Sequence, residues 1–217
     1  MKKYRLYIVD MDDTLYEERQ YVYSGFRVVS ELAEEHLGIR AGDAHDFMLR
    51  YFGRQGRKRV FDALLEAYGR KSEPAVVEAW VQAYRNHQPA IQVYPFVEET
   101  LAALRQAGGQ ICIVTDGLTC MQERKFAALG LADYVDRVVY CHTTGYPKPD
   151  PRSLVNVLRH GQEDAVLIGD RPDHDLALAA HVGIDAIRVR TERFKHQANT
   201  PWQPVAEIAA FPELLRM

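Results

Sequence analysis

Short apolar runs separated by amphipathic stretches organise most of this chain. Five runs rich in β-branched and other large apolar residues have the pattern of strands: 5–9, 110–115, 137–140, 165–169 and 186–190. Most are continuous rather than alternating, as expected for parallel strands covered on both faces. Helical patterns follow from the second run onward, at 97–107, 119–129, 151–160 and 173–182. Strands that alternate with helices predict an α/β fold with a doubly wound parallel sheet. The tail at 191–204 is expected to be a loop before a last short helix.

The interval between the first two strands has a different pattern. Apolar residues there repeat at helical spacing, as in 60–68 and 76–84, and no segment has a convincing strand pattern. The interval is also far longer than the crossover between two parallel strands requires. The pattern therefore predicts two domains, a core formed by 1–15 and 89–217 and an inserted helical domain formed by 16–88.

The composition excludes several classes of protein. The chain has 217 residues, of which 47% are hydrophobic and 26% are charged, as is ordinary for a globular protein. A net charge of −3 argues against a nucleic-acid-binding protein, which normally carries a basic surface. No apolar run is long enough to span a membrane, and Arg5 and Asp10 interrupt the N-terminal run too early for a secretory signal. Three cysteines without a CxxC pair predict reduced thiols in a cytoplasmic protein.

Four polar clusters follow predicted strands or lie in the loops beyond them. They are Asp10-Met11-Asp12-Asp13-Thr14, Thr115-Asp116-Gly117, Lys148-Pro149-Asp150-Pro151, and the segment 169–175 with Asp170, Asp173 and Asp175. In an open α/β sheet, ligands bind at the carboxyl ends of the strands. Because an acid, a hydroxyl, a lysine and an acid in this order are far more specific than scattered loop acids, they indicate a functional site at that edge.

Asp10 is the best-placed candidate nucleophile, because it follows the first strand directly. A carboxylate with a pKa near its reference of about 4 is ionised at neutral pH, so it can act as a nucleophile without a base to activate it. Asp12 shares the face of Asp10 in an extended chain, and an ionised neighbour should raise its pKa, which suits a proton carrier. Clustered acids repel one another, so a bound cation is expected, and Mg²⁺ prefers such oxygen ligands.

The four clusters together resemble the signatures of the haloacid dehalogenase-like hydrolases, with a helical cap inserted between the first and the second. The resemblance implies a Rossmann-like core in which Asp10 is the nucleophile and Asp12 the general acid and base. It implies that Mg²⁺ is held by Asp10, by the backbone carbonyl of Asp12 and by Asp170. Asp175 fits the second acid of the last signature at the longer of its two usual spacings and is a further candidate metal ligand, and Asp173 is a rival for that place.

The resemblance also implies which residues hold the transferring phosphoryl group. Thr115 would hydrogen-bond one of its oxygens, and Lys148 would offset negative charge on the nucleophile and on the phosphoryl group. Asp116 and Gly117 are candidate substrate contacts as well, although a turn-forming role is favoured for Asp116. Thr14 is expected to satisfy turn amides rather than to act in catalysis.

A basic run between two predicted helices of the insertion is the last candidate. It contains Arg54, Arg57, Lys58 and Arg59. Charge runs are usually solvated faces. The alternative is a cap loop in which Arg57 and Arg59 grip an anionic leaving group.

These expectations describe a Mg²⁺-dependent phosphatase that acts through an aspartyl-phosphate intermediate on a small phosphorylated metabolite. No nucleic-acid or membrane partner is expected, and a monomer or a homodimer fits equally. A dehalogenase would use Asp10 to displace halide from carbon without a metal, but such enzymes normally lack the second aspartate. A phosphonatase would need a cap lysine that forms a Schiff base with the substrate. A non-catalytic phosphate-binding protein is the alternative from another class.

Overall fold

The computed structural model describes residues 4–158 and 164–217, and within these residues six strands form one sheet. The strands are β1 (Leu6–Val9), β2 (Gln110–Thr115), β3 (Arg137–Tyr140), β4 (Ala165–Gly169), β5 (Asp185–Val189) and β6 (Ala206–Ile208). All neighbouring strands pair in parallel, in the order β3-β2-β1-β4-β5-β6. This arrangement confirms the predicted α/β fold with a parallel sheet. Strand β1 lies between β2 and β4, so the segment after β1 leaves the middle of the sheet.

The central strands are covered on both faces. Every residue of β1 and of β4 is buried, which explains why their sequences are continuously apolar. The helices are α1 (Glu18–Leu37), α2 (Ala41–Gln55), α3 (Val60–Ala67), α4 (Pro74–Asn86), α5 (Val97–Gln106), α6 (Thr119–Ala128), α7 (Cys141–Thr144) and α8 (Ala177–Val182). Short 3₁₀ helices lie at Leu131–Tyr134, Pro151–Leu154, Glu192–Phe194 and Phe211–Arg216. Among the described helices, none has the length and apolar character needed to cross a bilayer.

The chain divides into two compact units, Met1–Glu18 with Gln92–Met217, and Arg19–Ile91. The first unit contains the sheet. The second, which we call the helical unit, contains α2, α3, α4 and nearly all of α1, with a core that includes Phe26, Leu64 and Trp80. Within the sheet-containing unit, the backbone N–H of Tyr94 donates to the carbonyl of Leu15 at 2.8 Å. The segment before the helical unit is therefore hydrogen-bonded to the segment after it.

Three parts of the core differ from the predicted elements. Residues 151–154 form a short 3₁₀ helix rather than an α-helix; Pro151 begins it, and the Asp150 side chain accepts a hydrogen bond from the backbone N–H of Arg152. Residues 159 and 160 of that predicted helix lie outside the described residues. The predicted helix at 173–182 begins as a π-helical turn, Pro172–Leu176, before α8. Strand β6 was not predicted, because it is a three-residue edge strand with one buried position.

The three cysteines are free thiols, with Cys112 and Cys141 buried and Cys120 exposed. Burial raises the pKa of the Cys112 thiol to about 12. Cys112 is therefore a core residue, because a buried neutral thiol is a poor nucleophile and a poor metal ligand.

Candidate active site

Asp10 lies directly after β1 with its side chain buried. Its carboxylate accepts hydrogen bonds from Lys148 Nζ, at 2.5 Å to Oδ1, and from Thr14 Oγ1, at 3.0 Å to Oδ2. Burial raises the pKa of Asp10 to about 7; Lys148 opposes this shift, and Asp175 adds to it. The prediction of an ordinary carboxylate pKa is therefore wrong, because the site removes this acid from water and sets it beside another acid.

Asp10, Asp170 and Asp175 form a cluster of buried acids, which we call the acid cluster. One carboxylate oxygen of each lies within 4.8 Å of those of the other two. Asp170 Oδ2 is buried and has no hydrogen-bond partner among the described residues. Burial and the charges of Asp10 and Asp175 raise the pKa of Asp170 to about 9. A buried carboxylate oxygen without a donor suits a cation, and three oxygen ligands suit a hard divalent one.

Lys148 supplies positive charge beside the acid cluster. It is buried, and its Nζ donates to Asp175 Oδ1 at 2.7 Å as well as to Asp10. Burial opposes the charge of Lys148, but Asp10 and Asp175 outweigh burial and hold its pKa well above the ordinary value. The backbone N–H of Lys148 donates to Asp116 Oδ1 at 3.1 Å. Asp116 therefore supports the loop that carries Lys148, which agrees with the structural role favoured for it.

The structure brings Asp175, rather than Asp173, into the acid cluster. Asp175 is fully buried, and its Oδ2 accepts a hydrogen bond from the backbone N–H of Arg171 at 3.0 Å. A Cβ at Gly169 would lie only 2.4 Å from Asp175 Cγ, so this close approach depends on glycine. Asp173 is exposed and pairs with Arg171 and His174.

Asp12 lies in a second hydrogen-bond network. Lys125 Nζ donates to both carboxylate oxygens, at 2.8 and 3.0 Å, and Gln122 Nε2 donates to Oδ2 at 2.9 Å. The Tyr16 hydroxyl also donates to Oδ1. Burial alone would raise the pKa of Asp12, but Lys125 and the other donors outweigh it and hold the pKa below its ordinary value. The predicted upward shift is therefore wrong, because a lysine from α6 lies beside this acid.

Thr115 joins this second network at the end of β2. Its hydroxyl is buried and accepts a hydrogen bond from Gln122 Nε2 at 2.5 Å. Gly117 has a φ of 116°, and a Cβ there would lie 3.3 Å from the side chain of Gln122. A positive φ of this size is unfavourable for other residues, so glycine lets the chain turn while leaving room for Gln122. The structure thus brings Thr115 close to the residues that hold Asp12.

Residues 4–183 match the family model of the haloacid dehalogenase-like hydrolases. The chain belongs to this family. The membership confirms the resemblance drawn from the four signatures. This hydrolase is 28% identical over 195 residues to a glyceraldehyde 3-phosphate phosphatase from Methanocaldococcus jannaschii, and the alignment covers 87% of this chain and 86% of that protein.

Solved structures show the same fold. The magnesium-bound HAD-hydrolase YfnB from Bacillus subtilis matches this hydrolase with a TM-score of 0.70 and 20% identity, over 99% of this chain and 98% of that one. A 2-haloacid dehalogenase from Pseudomonas syringae matches with a TM-score of 0.66 and 23% identity, over 98% and 97%. Because a phosphatase and a dehalogenase can share this fold, the site residues have to distinguish the two reactions.

Sequence reasoning missed three residues of this hydrolase, Tyr16, Gln122 and Lys125. It also assigned the Thr14 hydroxyl to turn amides, whereas that hydroxyl donates to Asp10 Oδ2. The available signal was in α6, where Gln122 and Lys125 lie on the same side as the buried Leu129. Lysine and glutamine are seldom fully buried without a partner, so two of them at core-facing positions indicate a polar network. Neither residue identifies its partner from sequence alone.

Arg57 and Arg59 lie in the helical unit, and both are exposed. Arg59 directly precedes α3 with a φ of 58°, and its Nη2 donates to Glu66 Oε1 at 3.1 Å. Such an exposed ion pair contributes little to stability. The contact of Arg57 and Arg59 with a substrate stays a prediction.

Proposed function

We propose that this hydrolase is a Mg²⁺-dependent phosphatase that releases phosphate from a small phosphorylated metabolite. The observation that carries the proposal is the acid cluster, with an unpartnered oxygen on Asp170 among the described residues and Lys148 beside it. In their ionised form, these acids would repel a phosphate dianion unless a cation offset part of their charge. Asp12 also argues against a dehalogenase, and the phosphatase name of the Methanocaldococcus jannaschii relative supports the same class of reaction.

The proposed reaction forms and then breaks a bond between Asp10 and phosphorus. The Asp10 carboxylate attacks phosphorus and the bond to the leaving oxygen breaks. Asp12, which enters this step protonated, donates its proton to that oxygen and becomes a carboxylate. Asp12 then takes a proton from the water that hydrolyses the aspartyl phosphate. The donors around Asp12 favour its ionised form, which suits this second role. Thr115 and Lys148 hold and stabilise the phosphoryl oxygens.

We assign the metal ligands to Asp10, Asp170 and the backbone carbonyl of Asp12, with Asp175 as the neighbouring acid that orients Lys148. When bound there, Mg²⁺ would offset the charge of the acids and of the phosphoryl oxygens. We further propose that the helical unit is a cap that closes over the substrate, excludes bulk water and selects the leaving group. The cytoplasmic location and the monomeric or homodimeric state stay predictions.

Phosphate and halide release test the proposed function directly. The assays with Mg²⁺ would use phenyl phosphate, sugar phosphates including glyceraldehyde 3-phosphate, nucleoside monophosphates and phosphorylated carboxylic acids. The assay without Mg²⁺ would use 2-chloropropionate. We expect phosphate release from at least one group and no halide release. Halide release in chelator would identify a dehalogenase. Binding of a phosphorylated compound without any turnover would identify a non-catalytic binding protein.

Replacing Arg57 and Arg59 by alanine should weaken the use of substrates with an anionic leaving group. If the loop reaches the substrate, these side chains meet the leaving group rather than the transferring phosphoryl group. A charge-assisted contact contributes about 1.5–3 kcal/mol, so kcat/KM for a phosphorylated carboxylic acid should fall roughly tenfold or more per contact. Hydrolysis of phenyl phosphate, whose leaving group is a neutral phenol, should scarcely change.

Lys71→Ala is the matched control for this loop, since Lys71 is another exposed cation of the helical unit. This variant should leave kcat/KM unchanged both for the phosphorylated carboxylic acid and for phenyl phosphate. Equal losses on both substrates in the arginine variant would indicate a structural or general electrostatic role. No loss on either would mean that the basic run is a solvated face.

A further inference from the structure

Helix α6 presents two buried polar side chains to Asp12. Gln122 is 1% exposed and Lys125 is 3% exposed, although both residue types usually reach solvent. Lys125 Nζ contacts both carboxylate oxygens of Asp12, and Gln122 Nε2 contacts Oδ2. Both side chains of α6 therefore point away from water and toward the same carboxylate.

The donors around Asp12 come from separate parts of the chain and leave its carboxylate little freedom. Oδ1 accepts hydrogen bonds from Lys125 and Tyr16, and Oδ2 accepts them from Lys125 and Gln122. Because donors contact both of its oxygens, this set defines the position of the carboxylate and the plane of its oxygens. Rotation about the side-chain bonds of Asp12 would break several of these bonds at once.

Gln122 also links Asp12 to Thr115. The same Nε2 lies 2.5 Å from Thr115 Oγ1 and 2.9 Å from Asp12 Oδ2. The glycine at 117 leaves room for this side chain, since a Cβ there would crowd it at 3.3 Å. Gln122 therefore hydrogen-bonds both to Asp12, the proposed proton carrier, and to Thr115, the proposed phosphate-binding residue.

We propose that Lys125 and Gln122 are positioning residues that hold the Asp12 carboxylate where it can exchange protons with the leaving oxygen and with water. The inference rests on the proposed phosphatase function and adds two residues outside the four signatures. Proton transfer requires the donor and acceptor to lie within hydrogen-bond distance, and a displacement of about 1 Å can lower a rate by about 10²-fold. The competing interpretation is that the ion pair only stabilises the packing of α6.

The choice of leaving group separates these interpretations. An alkoxide leaves readily only when it receives a proton, whereas 4-nitrophenolate leaves without one. Lys125→Met should therefore lower kcat roughly 10- to 100-fold on glycerol 1-phosphate and clearly less on 4-nitrophenyl phosphate, with little change in KM. Asp12→Asn should show the same dependence on the leaving group, with a larger loss.

A double variant tests whether Lys125 acts through Asp12. In the Asp12→Asn background, Lys125→Met should add less than about a twofold further loss, because the effects of residues that act together are not additive. Lys125→Arg keeps a donor and a charge, so it should retain more of kcat than Lys125→Met. Arg124→Met removes a neighbouring cation from the same helix and should leave kcat unchanged on both substrates.

Thermal unfolding identifies variants that fail to fold, and in that case Gln122→Met carries the same substrate comparison. Equal losses on the two substrates, losses that multiply in the double variant, or an unchanged kcat in Lys125→Met would each overturn the positioning role while leaving the phosphatase intact. A folded wild-type protein that releases no phosphate from any substrate would overturn the proposed function, and the positioning role with it.

Discussion

Asp10→Asn should abolish phosphate release and leave the fold intact. The amide has nearly the same size as the carboxylate but is a very poor nucleophile, so a loss of roughly 10⁴-fold or more in kcat is expected. The wild-type protein should also form an acid-stable, hydroxylamine-sensitive phosphoenzyme with radiolabelled substrate, and the variant should not. An Asp10→Asn protein with normal turnover would place the nucleophile on another residue.

Asp13→Asn is the matched control, because Asp13 lies in the same loop and is also buried. Its Oδ1 accepts a hydrogen bond from the backbone N–H of Glu18 at 2.8 Å, and an amide oxygen can accept the same bond. Its carboxylate is not part of the acid cluster. The control should therefore keep kcat within a few-fold of the wild type, and circular dichroism should show that both variants are folded.

Removal of divalent cations should also abolish activity. The acid cluster cannot accept a phosphate dianion unaided, so phosphate release should stop in excess chelator and return when Mg²⁺ is added. Because a cation that binds the folded protein stabilises it, Mg²⁺ should raise the melting temperature as well. Full turnover in chelator would contradict the phosphatase mechanism and favour the dehalogenase.

The two acids of the last signature provide a matched pair for this experiment. Asp170 is buried, and its Oδ2 has no partner among the residues that the structure describes, whereas Asp173 is exposed and already paired with Arg171. Asp170→Asn should lose both Mg²⁺-dependent activity and the rise in melting temperature. Asp173→Asn should keep both. The opposite result would show that Asp173, rather than Asp170, belongs to the metal site.

The sheet and the acid cluster could be predicted because local signals in the sequence agree with the tertiary fold. Strands β1 and β4 are buried on both faces, so each appears as a continuous apolar run, and the polar residue that follows it lies at the functional edge. Asp10 and Asp170 were recognised in this way. Strand β6 lacks this signal, since two of its three residues are not fully buried.

The electrostatic state of the acids could not be predicted from neighbours in the chain. Asp12 has Asp10 and Asp13 beside it in sequence, which suggests a raised pKa, but its decisive partner is Lys125, 113 residues away. For Asp10, the apolar run that identifies the strand also produces the burial that shifts the pKa upward. Charge patterns in sequence are therefore weaker guides to a buried site than apolar patterns are to strands.

The hydrogen bond between Tyr94 and Leu15 has a consequence for how enzymes of this design can diverge. Leu15 and Tyr94, near which the chain leaves and re-enters the sheet-containing unit, are hydrogen-bonded neighbours. The segment between them could therefore be replaced by a short turn or by a different domain without disrupting the sheet. The residues proposed to break the phosphate ester all lie in the sheet-containing unit, outside the segment between Leu15 and Tyr94. Replacement of the whole helical unit can then change which substrates are recognised, while the reacting groups of the sheet-containing unit stay the same.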